Sequence, residues 1–252
     1  MSDALVIDIG NTSTSIGLYR KGRVRAETRI DTVVEGEGKL QKALGSLPAS
    51  ADIQRVYGAS VVPRAKMPWK NAVQQFAGLR PYWISHKSEL GIPVSYPEPS
   101  TIGPDRLANA AAAARKFGRP VVVADFGTAL TFDIVTVRGG YSGGIIAPGL
   151  PLMFSYLADQ TALLPHIEPG PVRGMVGKST EDAMRIGARY GYRGMVREIL
   201  VNLQKRMGSQ ALTVCATGGY AGWVLKGMEF EVVIDPQLTL YGIGLVGEMS
   251  TR

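Results

Sequence analysis

Val6-Ile7-Asp8-Ile9-Gly10-Asn11-Thr12-Ser13-Thr14 and Val123-Ala124-Asp125-Phe126-Gly127-Thr128-Ala129-Leu130-Thr131 set Val, Asp, Gly and a final Thr at the same offsets, 117 residues apart. Each run leaves an apolar stretch, brings an aspartate to its end and breaks at glycine, the residue that lets a backbone turn sharply or approach a ligand closely. The segments beyond the two glycines repeat as well. Residues 14–19 read as a strand that turns at Lys21-Gly22 into residues 23–29, and residues 131–137 read as a strand that turns at Arg138-Gly139-Gly140. Strand, acidic glycine turn, strand and hairpin recur in order, which is the mark of an internally duplicated unit. The division falls near 117–119, giving an N-terminal half, 1–117, and a C-terminal half, 118–252.

Between these landmarks strands and helices alternate. Residues 39–46, 69–77, 106–117, 150–163 and 179–207 read as helices, and 53–60, 81–85 and 211–216 as strands; residues 34–38 read as loop. The alanine-rich run after Asp105 is the clearest helix, with Asp105 expected as its N-cap. The alternation places the chain in the α/β class. At 252 residues, 45% hydrophobic and 19% charged, it has material for a sizeable core. Its single cysteine, Cys215, rules out an internal disulfide and a Cys-rich zinc site, and neither His86 nor His166 has a metal-ligand neighbour in sequence. No window reaches the ~18 apolar residues of a membrane span, so a cytoplasmic protein without a membrane partner is expected. The net charge of +7 suits an anionic ligand. No basic stripe with interleaved aromatics marks a nucleic-acid interface, so none is expected.

The two glycine turns carry chemistry. After Gly10, the side chains of Asn11, Thr12, Ser13 and Thr14 join the turn's N–H groups as donors, a composition suited to phosphate oxygens. A carboxylate beside phosphate would repel it unless a cation sits between, which gives Asp8 a purpose; the same logic applies to Asp125, Gly127, Thr128 and Thr131. Two such turns, one from each half, predict a polyphosphate held from two sides. Two other glycine motifs do not qualify. Gly242-Ile243-Gly244-Leu245-Val246-Gly247 lacks the βαβ context of a dinucleotide fingerprint and reads as a close-packed terminal helix, and Gly177-Lys178-Ser179-Thr180 has Val172 where a P-loop needs glycine.

With these motifs in order, the chain resembles the type III pantothenate kinases of the acetate and sugar kinase, Hsp70 and actin superfamily. The resemblance rests on residues 8–19, Gly103-Pro104-Asp105-Arg106 with Tyr96 before it, residues 125–133, 143–149 and 161–165, Gly177-Lys178-Ser179-Thr180 and Thr217-Gly218-Gly219. It implies duplicated ribonuclease-H-like (actin-like ATPase) domains with mixed sheets and flanking helices. It implies ATP-dependent phosphorylation of pantothenate with Mg²⁺ and a monovalent cation, K⁺ or NH₄⁺, and a homodimer with the substrate pocket at its interface.

By the same resemblance Asp105 is the base on the acceptor hydroxyl, and the physics agrees, since an Asp beside Arg106 is expected to stay ionised. Asp8 holds Mg²⁺, through water in one version, while Ile9, Gly10, Asn11, Thr12, Ser13, Thr14 and Ser15 cradle phosphate. Asp125 takes the monovalent cation, Thr128 touches ATP, and Gly218 and Gly219 admit the adenine. Tyr96, Gly103, Pro104, Asp105, Arg106 and Thr180 contact pantothenate, Thr180 from the partner chain. Pro104 stands where the family has alanine. Two alternatives are a kinase for another small hydroxyl acceptor and a regulatory relative that binds ATP without turnover.

Overall fold

The computed structural model describes residues 2–32, 37–207 and 212–252. Strands β1 (Asp3–Ile9), β2 (Ser13–Arg20) and β3 (Arg23–Asp31) form an antiparallel meander. Helix α1 (Glu37–Gly45) leads to β4 (Ile53–Ser60), parallel to β1, and α2 (Lys66–Ala77) leads to β5 (Tyr82–Trp83), parallel to β4; α3 (Pro104–Phe117) comes next. Then the path repeats: β6 (Val121–Phe126), β7 (Ala129–Thr136), β8 (Gly140–Pro148), α4 (Leu150–Asp159), α5 (Thr180–Arg206), β9 (Thr213–Thr217) parallel to β6, α6 (Ala221–Leu225), β10 (Val233–Ile234) parallel to β9, and α7 (Leu238–Ser250). The sheet orders are β3-β2-β1-β4-β5 and, starting from the β8 edge, β8-β7-β6-β9-β10. The same route is drawn twice, with β1 and β6 at the two centres.

The repeat is in register up to the glycine and then slips. Ile9 and Phe126 end their strands 117 residues apart, but Ser13 and Ala129 open the next strands only 116 apart (129 − 13). The second turn is one residue shorter. The burial patterns of β2 and β7, iBiBB at their starts, agree in the slipped register, so Thr131 matches Ser15 rather than Thr14. The side-chain period of a strand makes burial, not the coincident letter, the guide to equivalence.

The chain forms two compact units: Met1–Arg119 with Val135–Gly143 and Gln237–Arg252, and Pro120–Ile134 with Gly144–Pro236. A single cut at 117/118 does not describe this, because α7 returns to the first unit. The last helix of each copy, α3 and α7, pack together there. A Cβ on Gly242 would run into the Ala108 carbonyl, and one on Gly244 or Gly247 into the root of the Tyr19 or Tyr57 ring. Three glycines thus let α7 lie directly on α3 and on one face of the first sheet. On the opposite face Leu5, Ile7 and Ile9 of β1 pack with Leu40 and Leu44 of α1 and Trp69 of α2. The core of the second unit joins Val122, Phe126 and Phe132 to Phe154 of α4 and Met184, Val196 and Leu200 of α5.

Strand boundaries otherwise lie close to expectation. The strand expected over 81–85 shrinks to the two residues of β5, and the helix expected over 150–163 ends at Asp159. Residues 34–36 of the expected loop and Ala211 of the expected late strand lie outside the described residues. No helix among the described residues is long and apolar enough to cross a membrane.

Candidate active site

In the first unit, Asp8 is the penultimate residue of the central strand, paired with Ser15 on one side and Ala59 on the other. The turn after it is closed by its own backbone, Gly10 N–H donating to Ser13 O at 3.0 Å, and is held from outside by Thr32 Oγ1, which donates to Gly10 O at 2.7 Å. The Gly10 N–H is therefore engaged inside the turn. Asn11 and Thr12 stand exposed at its tip, Ser13 and Ser15 are half-buried, and Ile9 and Thr14 are fully buried. Thr14 Oγ1 lies 3.1 Å from Thr32 Oγ1. Of the seven residues 9–15, Ile9 and Thr14 thus face the sheet interior with their side chains. Arg29 was missed by sequence reasoning: its Nε donates to Ser13 Oγ at 2.9 Å, bringing a cation to the turn from β3. Only the cross-strand register, Ser15 opposite Arg29, could have revealed it.

The first unit also holds Tyr96 and the start of α3. Gly103, not Asp105, is the N-cap; its carbonyl accepts the first helical bond, from Leu107 N–H at 3.2 Å. Pro104 takes the first helical position, where the missing N–H has no helical partner to lose and the fixed φ suits the helix. Asp105 sits in the first turn and its Oδ1 accepts the Arg106 N–H at 2.9 Å. That oxygen lies 2.5 Å from where a Cβ on Gly103 would be, so the carboxyl folds back over bare glycine backbone. Burial pushes the Asp105 carboxyl above the usual aspartate range; the Arg106 N–H and the Arg106 charge pull the other way and lose. Arg106 favours the ionised form, as expected, but desolvation outweighs it in setting the direction of the shift, and a carboxylate so raised is a stronger base. Asn109, one turn further along α3, is fully buried inside the alanine run, a polar residue the sequence offered but its neighbours disguised.

In the second unit Asp125 repeats the position of Asp8, penultimate on the central strand and paired with Thr217 of β9. Gly127 N–H donates to Ala129 O at 3.1 Å, closing the shorter turn. Two further glycines fit against it. A Cβ on Gly149 would run into the Gly127 and Thr128 carbonyls. Gly218, at φ +90°, leaves no room either: its Cβ would lie 2.5 Å from Phe126 C and 2.6 Å from Asp125 Oδ1. The second unit thus gathers Gly149, Thr217 and Gly218 around the end of β6 and the turn at Gly127 and Thr128. Thr180 is the first residue of α5, behind Ser179, whose side chain accepts the Asp182 N–H at 3.1 Å as an N-cap. The resemblance to a Walker loop at 177–180 is a helix cap. Asp133 of β7 is fully buried, a second polar core residue not singled out beforehand.

Among the described residues no group of three or more His, Cys, Asp or Glu side chains could hold a metal ion. The donors near each turn are one carboxylate and several hydroxyls and amides. That set suits a hard cation held mainly by phosphate oxygens and water, and does not suit an all-protein metal cage.

Comparison with known proteins places this arrangement. The family model for type III pantothenate kinase matches residues 4–202. A type III pantothenate kinase of Methylacidiphilum infernorum (isolate V4) is 41% identical over 249 residues, spanning 98% of this chain and 89% of that protein. One from Akkermansia muciniphila is 40% identical over 248 residues, spanning 98% of each. Among solved structures, a ROK family glucokinase from Streptomyces griseus in complex with glucose and AMPPNP superposes with a TM-score of 0.54 at 14% identity, over 98% of this chain and 99% of that one. At such identity the likeness concerns the fold alone. With the doubled sheet order, it gives a duplicated ribonuclease-H-like fold.

Proposed function

The chain belongs to the type III pantothenate kinase family, and we propose that its two glycine turns and the start of α3 divide the work of phosphorylating pantothenate with ATP between them. The reaction gives 4′-phosphopantothenate, the first step of coenzyme A biosynthesis. Phosphoryl transfer is largely a matter of positioning and charge stabilisation, and the residues divide accordingly.

Asp105 carries the reading: a carboxyl anchored by the Arg106 N–H, folded over Gly103 and made more basic by burial. It aligns the acceptor hydroxyl and takes its proton. Tyr96, Gly103, Pro104 and Arg106 complete the acceptor side. Residues 9–15 contact phosphate mainly through the exposed Asn11 and Thr12 and the half-buried Ser13 and Ser15, with Arg29 behind them. Asp8 holds Mg²⁺, through water; the ion would neutralise charge on the transferring phosphates. Asp125 takes a monovalent cation, Thr128 meets ATP, and Gly218 and Gly219 admit the adenine to the backbone. Residues 1–117 and 118–252 are the two copies of the duplication.

The chain works as a cytoplasmic homodimer in this reading, with Thr180 completing the partner's acceptor pocket. Exposed apolar side chains on the second unit, among them Ile146, Tyr156, Leu163, Met175 and Val176, support a buried interface there.

The test is ADP release by the purified protein with Mg-ATP, with and without pantothenate, in K⁺ and then in Na⁺, beside Asp105→Asn. Turnover that needs pantothenate and K⁺ and collapses in the variant is expected. Release independent of pantothenate, or an undiminished variant, overturns the assignment.

A further inference from the structure

Residues 93–96 are fastened to the start of β8 by main chain on both sides. Tyr141 N–H donates to Pro93 O at 2.9 Å, Ser95 N–H donates to Tyr141 O at 2.8 Å, and Val94 bridges Gly140. The fit demands glycine: Gly140 has φ +62°, and a Cβ there would run into the Pro93 carbonyl. The turn from β7 into β8 is braced from within. Thr136 Oγ1 and Ser142 Oγ lie 2.8 Å apart, Gly139 N–H donates to Thr136 Oγ1 at 3.1 Å, and Ser142 Oγ donates to Gly140 O at 3.1 Å.

This platform ends at Tyr96. The Tyr96 ring meets the fully buried ring of Tyr141 edge-on, centroids 6.1 Å apart and planes at 68°. Gly143, at φ +123°, also lies beside the Tyr96 ring: a Cβ there would sit in ordinary contact, 3.6 Å from Cε2 and 3.7 Å from Cδ2. Tyr96 nevertheless keeps 37% of its surface exposed. A half-exposed ring that is fixed before binding loses little freedom when it meets a ligand.

We propose that the start of β8, through Tyr141 and Gly143, is the positioning element for Tyr96 and so sets acceptor affinity and selectivity. The inference rests on the reading that Tyr96 faces pantothenate. Tyr141 and Gly143 touch no substrate in it; they hold the wall against which the acceptor packs. The effect is expected on the acceptor, since neither the Gly10–Ser13 nor the Gly127–Ala129 turn takes part in these contacts.

Steady-state kinetics of the intact enzyme test it, with Tyr96→Leu, Tyr141→Leu, Tyr141→Phe and Gly143→Ala. Tyr141→Leu should raise the pantothenate KM roughly threefold to tenfold, the range an edge-to-face pair supports. The ATP KM and kcat should stay within about twofold, because only acceptor binding is loosened. Tyr141→Phe keeps the ring and should restore the KM. If Tyr141→Leu fails to fold, Gly143→Ala replaces it: a methyl has room, but φ +123° disfavours alanine, and the same isolated rise in KM is expected. Unchanged pantothenate KM in both variants, with Tyr96→Leu impaired, overturns the positioning role. Parallel loss in all three constants does so too. An unimpaired Tyr96→Leu instead removes the reading of Tyr96 beneath it.

Discussion

Gly244→Ala isolates the close seating of α7. The new Cβ would fall within 3.0 Å of three ring atoms of Tyr19, at the root of the ring where it cannot swing away. Tyr19 is buried, sits 6.1 Å from the Tyr241 ring and donates to Glu248 at 3.3 Å, so its neighbours resist displacement. Overpacking of this kind costs about 3 kcal/mol at the upper end of its usual range. Alanine's better helix propensity offsets about 1 kcal/mol. The net loss is about 2 kcal/mol, a fall of roughly 4–8 °C in Tm for a chain of this size. Gly222→Ala in α6 is the control: a Cβ there meets nothing within 4 Å, and a gain of about 0.5–1 kcal/mol is expected from propensity alone. Differential scanning calorimetry of both variants reads the contrast, and separate transitions would assign each change to its own unit. A Gly244→Ala protein melting at or above the wild type would refute the packing argument.

The site and its surroundings give four further outcomes. The acid limb of the kcat/KM profile should lie above the ordinary aspartate value of 3.8, because protonation of the burial-raised Asp105 removes the base as pH falls; a limb at or below 3.8 would remove Asp105 from that role. The same shift runs the other way for stability: Asp105 favours folding below its unfolded pKa, and this is lost as pH rises through the folded one. Asp105→Asn should therefore melt higher than wild type near neutrality, with the gap closing in acid. Gly218→Ala should raise the ATP KM about tenfold or more while leaving the fold intact by circular dichroism, since its Cβ must displace Phe126 or the Asp125 carboxylate; unchanged ATP kinetics would separate that turn from nucleotide binding. Asp3 is 1% exposed and bridges Arg20 and Arg25, both at 2.8 Å. Burial raises its pKa, but the bonds and charges of the two arginines lower it further, so its contribution is present above 3.8 and fades as pH falls through the folded value. Asp3→Asn should destabilise by less than the ~3–5 kcal/mol of a fully buried pair, because Arg25 is half exposed; chemical denaturation at pH 7 and at pH 3 reads both claims.

The duplicated route was legible because it is written in residues whose physics is local. Aspartate at a strand end, glycine after it and a hairpin beyond leave marks that survive in the letters. The slip from 117 to 116 was not legible, since one deleted turn residue leaves Thr131 opposite Thr14 by chance while burial pairs it with Ser15. Asp105 was found, but its place in the helix was not: Pro104 is the better signal, fixing the first helical position and so making Gly103 the cap. The sign of its pKa shift needed burial, which no neighbour in sequence announces. The return of α7 to the first unit was hidden for the same reason, although its three glycines did announce a close contact without naming the surface. Two-residue strands carry little pattern: β5 was read too long, over 81–85, and β10 was not read at all.

The seating of α7 also fixes an order of events during synthesis. The first unit has its sheet, α1, α2 and α3 once Arg119 is made, yet the helix that covers one face of that sheet begins only at Leu238. At ~5–20 residues per second, the intervening chain takes roughly 6–24 s to emerge. Throughout that interval the rings of Tyr19 and Tyr57 and the backbone of α3 lack their cover. A nascent chain of this kind presents an unfinished apolar face to chaperones, and its first half becomes a finished body only after its second half has been translated.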